Sequence, residues 1–302
     1  MATAQICVGR HWGRANYEAY LKQLRAVFRQ VYRVLAPSAS LWLNIDDSYA
    51  DGSMQGIPWR LVLGMVEDDG WIVRNDNIWS KTGGSLNRAD DRHTHRHEHM
   101  FHLVKQRNYH FDADAVRLPP AKGRRHGDEM ISATGVSKAV CHQRIESASG
   151  MTKSQRISAK VAVDETFAAI DAGILHDFRL ILKGENRVTH SDSEEISARA
   201  SRLERDGYYI LKYNPKGSMP SDVWRIAPDR SKGRTTHYAA FPEQLVEVPL
   251  KATCPIGGIV LDPFAGTGTT LVVAQRLGRH GVGIDLSDDY LQVARERLGI
   301  NT

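Results

Sequence analysis

The chain has 302 residues and a formal net charge of +5, with 41% hydrophobic and 25% charged residues, ordinary proportions for a soluble globular protein of one large domain or two. No run approaches the 18 apolar residues of a membrane span, and the N-terminus has no signal-peptide core, so a cytosolic (cytoplasmic) location is expected. Three scattered cysteines without a CxxC argue against a disulfide framework and a zinc ribbon.

Apolar residues at Tyr20, Leu24, Val27, Val31 and Val34 recur near the helical period, so Tyr17 to Leu35 reads as an amphipathic helix ending before Pro37. Pro37-Ser38-Ala39-Ser40 turns the chain into a strand at Leu41. Pro58 to Val66 reads as a helix with proline in its first turn. Gly70 precedes a strand at Trp71. Then come His93, His95, His97, His99 and His102. Alternating histidines on a strand share a face, but zinc needs fixed tetrahedral geometry and usually a distant second ligand pair, so no metal is assigned.

Residues 122–160 hold eight Lys or Arg against three acids, an excess equal to the net charge of the whole chain. Few large apolar residues accompany them. The stretch reads either as a solvated, partly disordered insertion or as a segment that neutralises DNA phosphates, and the two readings are compatible. Lys122, Arg124, Arg125 and Arg144 are the candidate DNA contacts. Gln143, Ser147 and Ser149 could read base edges, and nothing in the sequence selects among them. Helical spacing predicts a helix within 164–182, polar composition predicts a loop and an exposed helix over 184–206, and helices are expected at Phe241 to Thr253 and Asp288 to Leu298.

The most informative stretch is Asp262-Pro263-Phe264-Ala265-Gly266-Thr267-Gly268-Thr269-Thr270. It follows the apolar run Gly258 to Leu261 and precedes a helix-like segment at Leu271 to Leu277, which is strand, glycine turn, helix. Glycines let backbone approach a bound molecule, and a helix N-terminus offers unpaired N–H groups. A second strand, His280 to Ile284, ends at Asp285, 23 residues after Asp262. An acid there suits ribose hydroxyls, so a nucleoside cofactor is expected at 262–285. A phosphate loop is excluded because no Gly-Lys-Ser/Thr is present, and the GxGxxG fingerprint fails after Gly266 and Gly268.

This nine-residue string resembles the S-adenosylmethionine loop of DNA amino-methyltransferases, which modify cytosine N4 or adenine N6. Further motifs resemble the family's permuted subgroup in the right order: Leu41 to Tyr49, Gly70 to Asp76, Ile78 to Lys81, Asp91 to Thr94, His97 to Lys105, Asp222 to Ile226 and Thr236 to Val246. Together they cover about two-thirds of the chain. Asp46 stands where the family usually has glycine, which would strain a turn or crowd the pocket. The resemblance implies an α/β fold: a Rossmann-like S-adenosylmethionine-dependent methyltransferase sheet, mostly parallel, with circularly permuted motif order and a target-recognition insertion. It implies a target-base half at 1–112, a recognition region at 113–225 and a cofactor half at 226–302. It places Asp262, Pro263, Phe264, Ala265, Gly266, Gly268 and Thr269 around S-adenosylmethionine, Asp285 on the ribose, Asn44 and Asp47 at the nearby sheet edge, and Phe241 on a covering helix. The implied partners are double-stranded DNA and a cognate restriction enzyme. Cytosine N4 is slightly preferred over adenine N6.

One family element is missing. Amino-methyltransferases carry Asp, Asn or Ser, then Pro-Pro, then an aromatic, which hold a base swung out of its stack for in-line transfer. The only Pro-Pro here is Pro119-Pro120, with no aromatic after it and out of motif order. The tetrapeptide belongs shortly before the Tyr17 helix, so the strand carrying it is expected to be absent. A misassigned start or a truncated gene is favoured over a strand supplied by a second chain. A parallel sheet with an inner gap would be marginally stable and poorly catalytic. A cytosine-C5 mechanism is unsupported, since Cys7, Cys141 and Cys254 do not follow proline. Two rivals remain, a non-catalytic remnant that binds DNA and cofactor, and an RNA or small-molecule methyltransferase using the same loop.

Overall fold

The segment Ser40-Leu41-Trp42-Leu43-Asn44-Ile45 is buried at every position, as a strand inside a sheet covered on both faces must be. The computed structural model describes residues 2–7, 17–83, 90–185, 198–228 and 241–300. They fall into two compact units, Met1–Val116 with Ser221–Thr302, and Arg117–Pro220.

The first unit begins with β1 (Ala2–Cys7), α1 (Tyr17–Val34), β2 (Ser40–Ile45), a small hairpin of β3 (Tyr49–Ala50) and β4 (Ser53–Met54), α2 (Ile57–Asp69), β5 (Ile72–Lys81) and β6 (His97–Val104). The second unit holds β7 (Arg124–His126), β8 (Glu129–Ile131), α3 (Lys138–Ser147), α4 (Lys153–Asp171), β9 (Phe178–Leu182), α5 (Ala198–Asp206) and β10 (Tyr208–Lys212). The chain then returns to the first unit with β11 (Val223–Ile226), α6 (Gln244–Thr253), β12 (Ile259–Asp262), α7 (Thr269–Arg276), β13 (His280–Gly283) and α8 (Asp288–Leu298).

Seven strands of the first unit form one sheet in the order β11-β5-β6-β2-β1-β12-β13. Only β6 runs against its neighbours; the other four pairings are parallel. Alternation along β2 and β6 sends side chains to two cores. Leu41, Leu43, Ile45, Phe101 and Leu103 meet Phe28 and Val31 of α1 and Leu61 and Met65 of α2. On the opposite face Trp42 and Met100 meet Trp79 and Leu245, while Val246 and Leu250 of α6 pack on Val260 and Val273. Each fully buried side chain of this size contributes about 1.5–3 kcal/mol. Arg25 and Arg29 of α1 clasp Asp69 at the end of α2 at 2.9 and 2.7 Å. Burial pushes the Asp69 carboxyl up, but the two guanidinium groups outweigh it and hold it below its ordinary value.

Four expectations are corrected here. The inner strand predicted to be missing is β1 itself, which pairs Ala4 with Leu41 on one side and with Leu261 on the other. The gap is filled by residues too short and too weakly apolar to stand out in the sequence. Asp46 is not in the left-handed region, since Asp51 is the one non-glycine with positive φ among the described residues; Asp46 strains no turn. The basic stretch is not loose. The second unit has its own core, built from Cys141, Ile145, Ala159, Val163, Phe167, Phe178 and Leu180, and α4 starts with a capping box between Thr152 and Gln155. Small residues such as Ala159 and Cys141 pack there without adding to the large apolar residues that mark a core in sequence. The helix expected within 164–182 is instead the end of α4 followed by β9, and part of the 184–206 segment lies outside the described residues.

Proline cannot donate to a ladder in an inner strand. Ala4→Pro is expected to cost more than about 2 kcal/mol in urea unfolding; a tolerated proline would remove β1 from the sheet.

Candidate functional site

The parallel strands β2, β1, β12 and β13 end along one edge, and the described residues just past β2, β12 and β13 form the candidate site. Asp262 closes β12, and α7 opens seven residues later at Thr269. Gly266 and Gly268 lie in the left-handed region, at φ 51° and 78°, where a side chain would be strained. A Cβ at Gly268 would also stand 2.9 Å from the Cβ of Ala294. Glycine is therefore required by both conformation and space.

Two carboxylates shape the loop. The Phe264 N–H donates to Asp262 Oδ1 at 3.0 Å. The Gly266 N–H donates to Asp285 Oδ2 at 2.7 Å, and the Ser287 N–H to Asp285 Oδ1 at 2.9 Å. Burial pushes the Asp262 carboxyl up to about 6, helped by the nearby Asp285 charge and opposed by Thr270 and the Phe264 N–H. Thr270 is near enough to favour the charged form, yet Asp262 Oδ2 and Thr270 Oγ1 are both buried without a well-formed hydrogen bond. Such orphaned polar atoms fit a site that binds a polar or cationic ligand.

The expected loop residues are brought together. Ala265, Thr267 and Thr269 are buried, Pro263 is half-buried, and Phe264 packs against the α1–α2 core with Leu261. Phe241 packs on the other face of the sheet, against the α6 clusters. Arg297 of α8 was not foreseen. It donates to Thr267 O at 2.8 Å and lies 3.2 Å from Thr269 Oγ1, tying the last described helix to the loop. No local pattern marks an arginine for that contact.

Asn44 and Asp47 reach the same edge, but their polar groups serve the scaffold. Asn44 is buried and donates to His99 O at 3.1 Å. Asp47 accepts from the backbone N–H groups of Ser48, Gly56 and Ile57 at 2.8, 2.9 and 3.0 Å, holding the start of α2. The histidines divide. His95 Nε2 lies 2.8 Å from Asp46 Oδ1, and His99 Nδ1 lies 3.0 Å from Asp76 Oδ1. His97 lies between them, its pKa lowered by burial and then by its two histidine neighbours. His102 stacks on Trp42 at 4.3 Å, bonds Ser40 Oγ and is pushed down to about 3 by burial, then by Arg74. In the second unit Arg125 is ion-paired with Asp171, and Arg144 with Glu185 at 2.8 Å.

The family model described as DNA methylase matches residues 11–296. The chain belongs to the DNA methylase family. This methylase is 28% identical to the type II methyltransferase M.SfiI of Streptomyces fimbriatus, across 90% of this chain and 77% of that protein. Its fold is shared with the PvuII DNA methyltransferase, titled cytosine-N4-specific, at a TM-score of 0.58 and 13% identity, covering 98% and 79% of the two chains. It is shared too with the TTHA0409 protein of Thermus thermophilus in its S-adenosyl-L-methionine complex, at a TM-score of 0.51 and 18% identity, covering 99% and 85%. The DNA methylase is an S-adenosylmethionine-dependent methyltransferase of DNA. Among the described residues no helix is long and apolar enough to cross a membrane.

An acid whose folded pKa is raised loses stability as pH rises from its unfolded value, 3.8, to its folded value, about 6. Above pH 6 the buried charge is fully opposed. Asp262→Asn is therefore expected to raise the stability of the ligand-free methylase at pH 7–8 by on the order of 2 kcal/mol, with the gain vanishing below pH 4. Thermal melts of both proteins across this range check it.

Proposed function

We propose that this methylase modifies an exocyclic amine of duplex DNA, cytosine N4 ahead of adenine N6, in the cytoplasm and beside a restriction enzyme of the same specificity. The observation that carries the reading is the glycine turn braced by Asp262 and Asp285 at adjoining strand ends. The motif set favours cytosine N4, and the cytosine-N4-specific PvuII enzyme shares the fold.

Bound S-adenosylmethionine supplies an electrophilic methyl group. The protein's part is to hold it and to hold the amine. The turn around Gly266 and Gly268 brings backbone close to the ligand. Each Asp285 oxygen has acceptor capacity beyond its one backbone N–H, enough to receive ribose hydroxyls. The buried Asp262 carboxylate favours a cationic ligand, because a positive charge nearby lowers a raised acid pKa. Pro263, Phe264, Ala265 and Thr269 complete the wall. In the second unit Lys122 and Arg124 place positive charge for the DNA, whereas the charges of Arg125 and Arg144 are taken up by Asp171 and Glu185.

The target side departs from the family. In sequence β1 is followed by Val8-Gly9-Arg10-His11, with no Pro-Pro and no acid, amide or serine. That absence favours a second reading, a protein that holds cofactor and DNA without transferring methyl groups efficiently. Transfer of label from S-adenosylmethionine to mixed-sequence duplex DNA separates the two. The combined substitution Val8→Ser, Gly9→Pro, Arg10→Pro and His11→Tyr is expected to raise transfer by about 10²-fold or more, the scale of a positioning effect. Strong transfer by the unsubstituted chain refutes the remnant reading, and transfer to RNA or small molecules alone refutes the DNA reading.

Asp285→Ala is expected to weaken cofactor binding by about 1.5–3 kcal/mol through loss of a charge-assisted contact. Unchanged affinity in calorimetry removes Asp285 from the ribose.

A further inference from the structure

The cations of the second unit do not contribute equally to its surface charge. Arg144 forks onto Glu185 and also bonds Leu180 O, Lys160 pairs with Glu146, Lys183 with Glu204, and Arg205 with Asp206. Lys153, Arg179, Arg202 and Lys212 have no ion pair among the described residues, but they are dispersed over α4, β9, α5 and β10. Around β7, Lys122, Arg124, Arg125 and His126 lie inside five residues.

The ribbon of β7 and β8 gives those side chains opposite tasks. Neighbouring residues of a strand point to opposite faces, and residues directly opposite across a pair share one. Arg125 is paired with Met130 in the ladder. Met130 packs on the core of the unit, and Arg125 binds Asp171 at the end of α4. That face is the anchor. Arg124 and His126 therefore lie on the other face, and all three β7 residues are exposed. The base of the ribbon is pressed tight, because a Cβ at Gly123 would stand 2.8 Å from Ile131 O and 3.0 Å from Ile170 Cγ2. Its tip is open, since nothing lies within 4 Å of a Cβ built at Gly127, which turns at φ 59°.

We propose that β7–β8 is the ribbon this methylase lays in the major groove of its DNA, with Arg124 and His126 reading base edges and Lys122 on a phosphate. The inference rests on the reading of duplex DNA as the substrate. A two-stranded ribbon fits the major groove, and an arginine there has a fork that matches the two acceptors of guanine. Anchored on one face, with Arg124 and His126 exposed on the other beside half-buried Ile131 and Glu129, the ribbon can present Arg124 without first ordering itself. Arg125 and Arg144, already held by acids, serve the scaffold.

The test selects bound duplexes from a randomised pool with the full chain and sequences them. Arg124→Ala is expected to lose about 10- to 100-fold of the preference at one base position. His126→Ala should relax a neighbouring position. Lys122→Ala should weaken all sequences evenly and reduce the salt slope by about one. Arg144→Ala should keep the selected pattern. S-adenosylmethionine affinity by calorimetry should be unchanged in Arg124→Ala, which shows that the protein is folded. An unchanged pattern in both Arg124→Ala and His126→Ala overturns the proposal. Evenly weakened binding in Arg124→Ala also overturns it, since that makes Arg124 a phosphate contact. A parent protein that binds S-adenosylmethionine but no duplex overturns the DNA reading and this inference together.

Discussion

Aspartates at the ends of parallel strands collect backbone N–H groups, and the rest of the site depends on this interaction. Asp47 after β2, Asp262 at the end of β12 and Asp285 after β13 each accept at least one main-chain N–H from the loop that follows. A loop at the rim of a sheet has backbone donors with no ladder to join. A carboxylate satisfies them with hydrogen bonds stronger than neutral ones. The three loops are thereby fixed along one edge. The cost is concentrated at Asp262, where burial beside a second acid disfavours the charged form.

The same edge joins halves of the protein that are distant in sequence. Neighbouring strands are about 4.8 Å apart, so the ends of β2 and β12, with β1 between them, are about 10 Å apart. That spacing brings the end of β2 within reach of the glycine turn after β12. The histidines that follow one another in sequence separate once folded. His95 and His99 pair with acids near the rim, while His102 is sealed under Trp42 as a neutral core residue.

What could be read in the sequence was local. The strand–turn–helix at Asp262 to Thr270 and the acid at Asp285 announce themselves through glycine conformation and short spacing, and the structure brings them together as a loop. The strand at Leu41 was legible from the turn at Pro37 to Ser40 before it; its burial on both faces, Asn44 included, was not. What was illegible depended on partners far along the chain. Ala2 to Cys7 has no pattern of its own and becomes a strand because β2 and β12 leave a slot for it. Asn44 and Asp47 carry the family's residue types, yet their side chains are occupied by backbone a strand or a helix away. Arg297 meets Thr267 across α8. A count of charges over 122–160 could not tell Arg125 and Arg144, which are neutralised by Asp171 and Glu185, from Arg124, which is not.

The placement of β1 has a consequence for how the molecule comes to be folded. Ala4 pairs with Leu41, close behind it, and with Leu261, near the far end of the described chain. Loop closure over such a span precedes any contact that rewards it, and topologies dominated by distant pairings fold slowly. During synthesis the first strand leaves the ribosome with one neighbour available and its second not yet made. Its open edge must wait through the whole second unit, which has a core of its own and can condense first. The N-terminal half therefore spends its early life with an unpaired inner strand, the kind of surface that invites wrong partners. Of the two pairings of β1, the one with β12 is the later to become available.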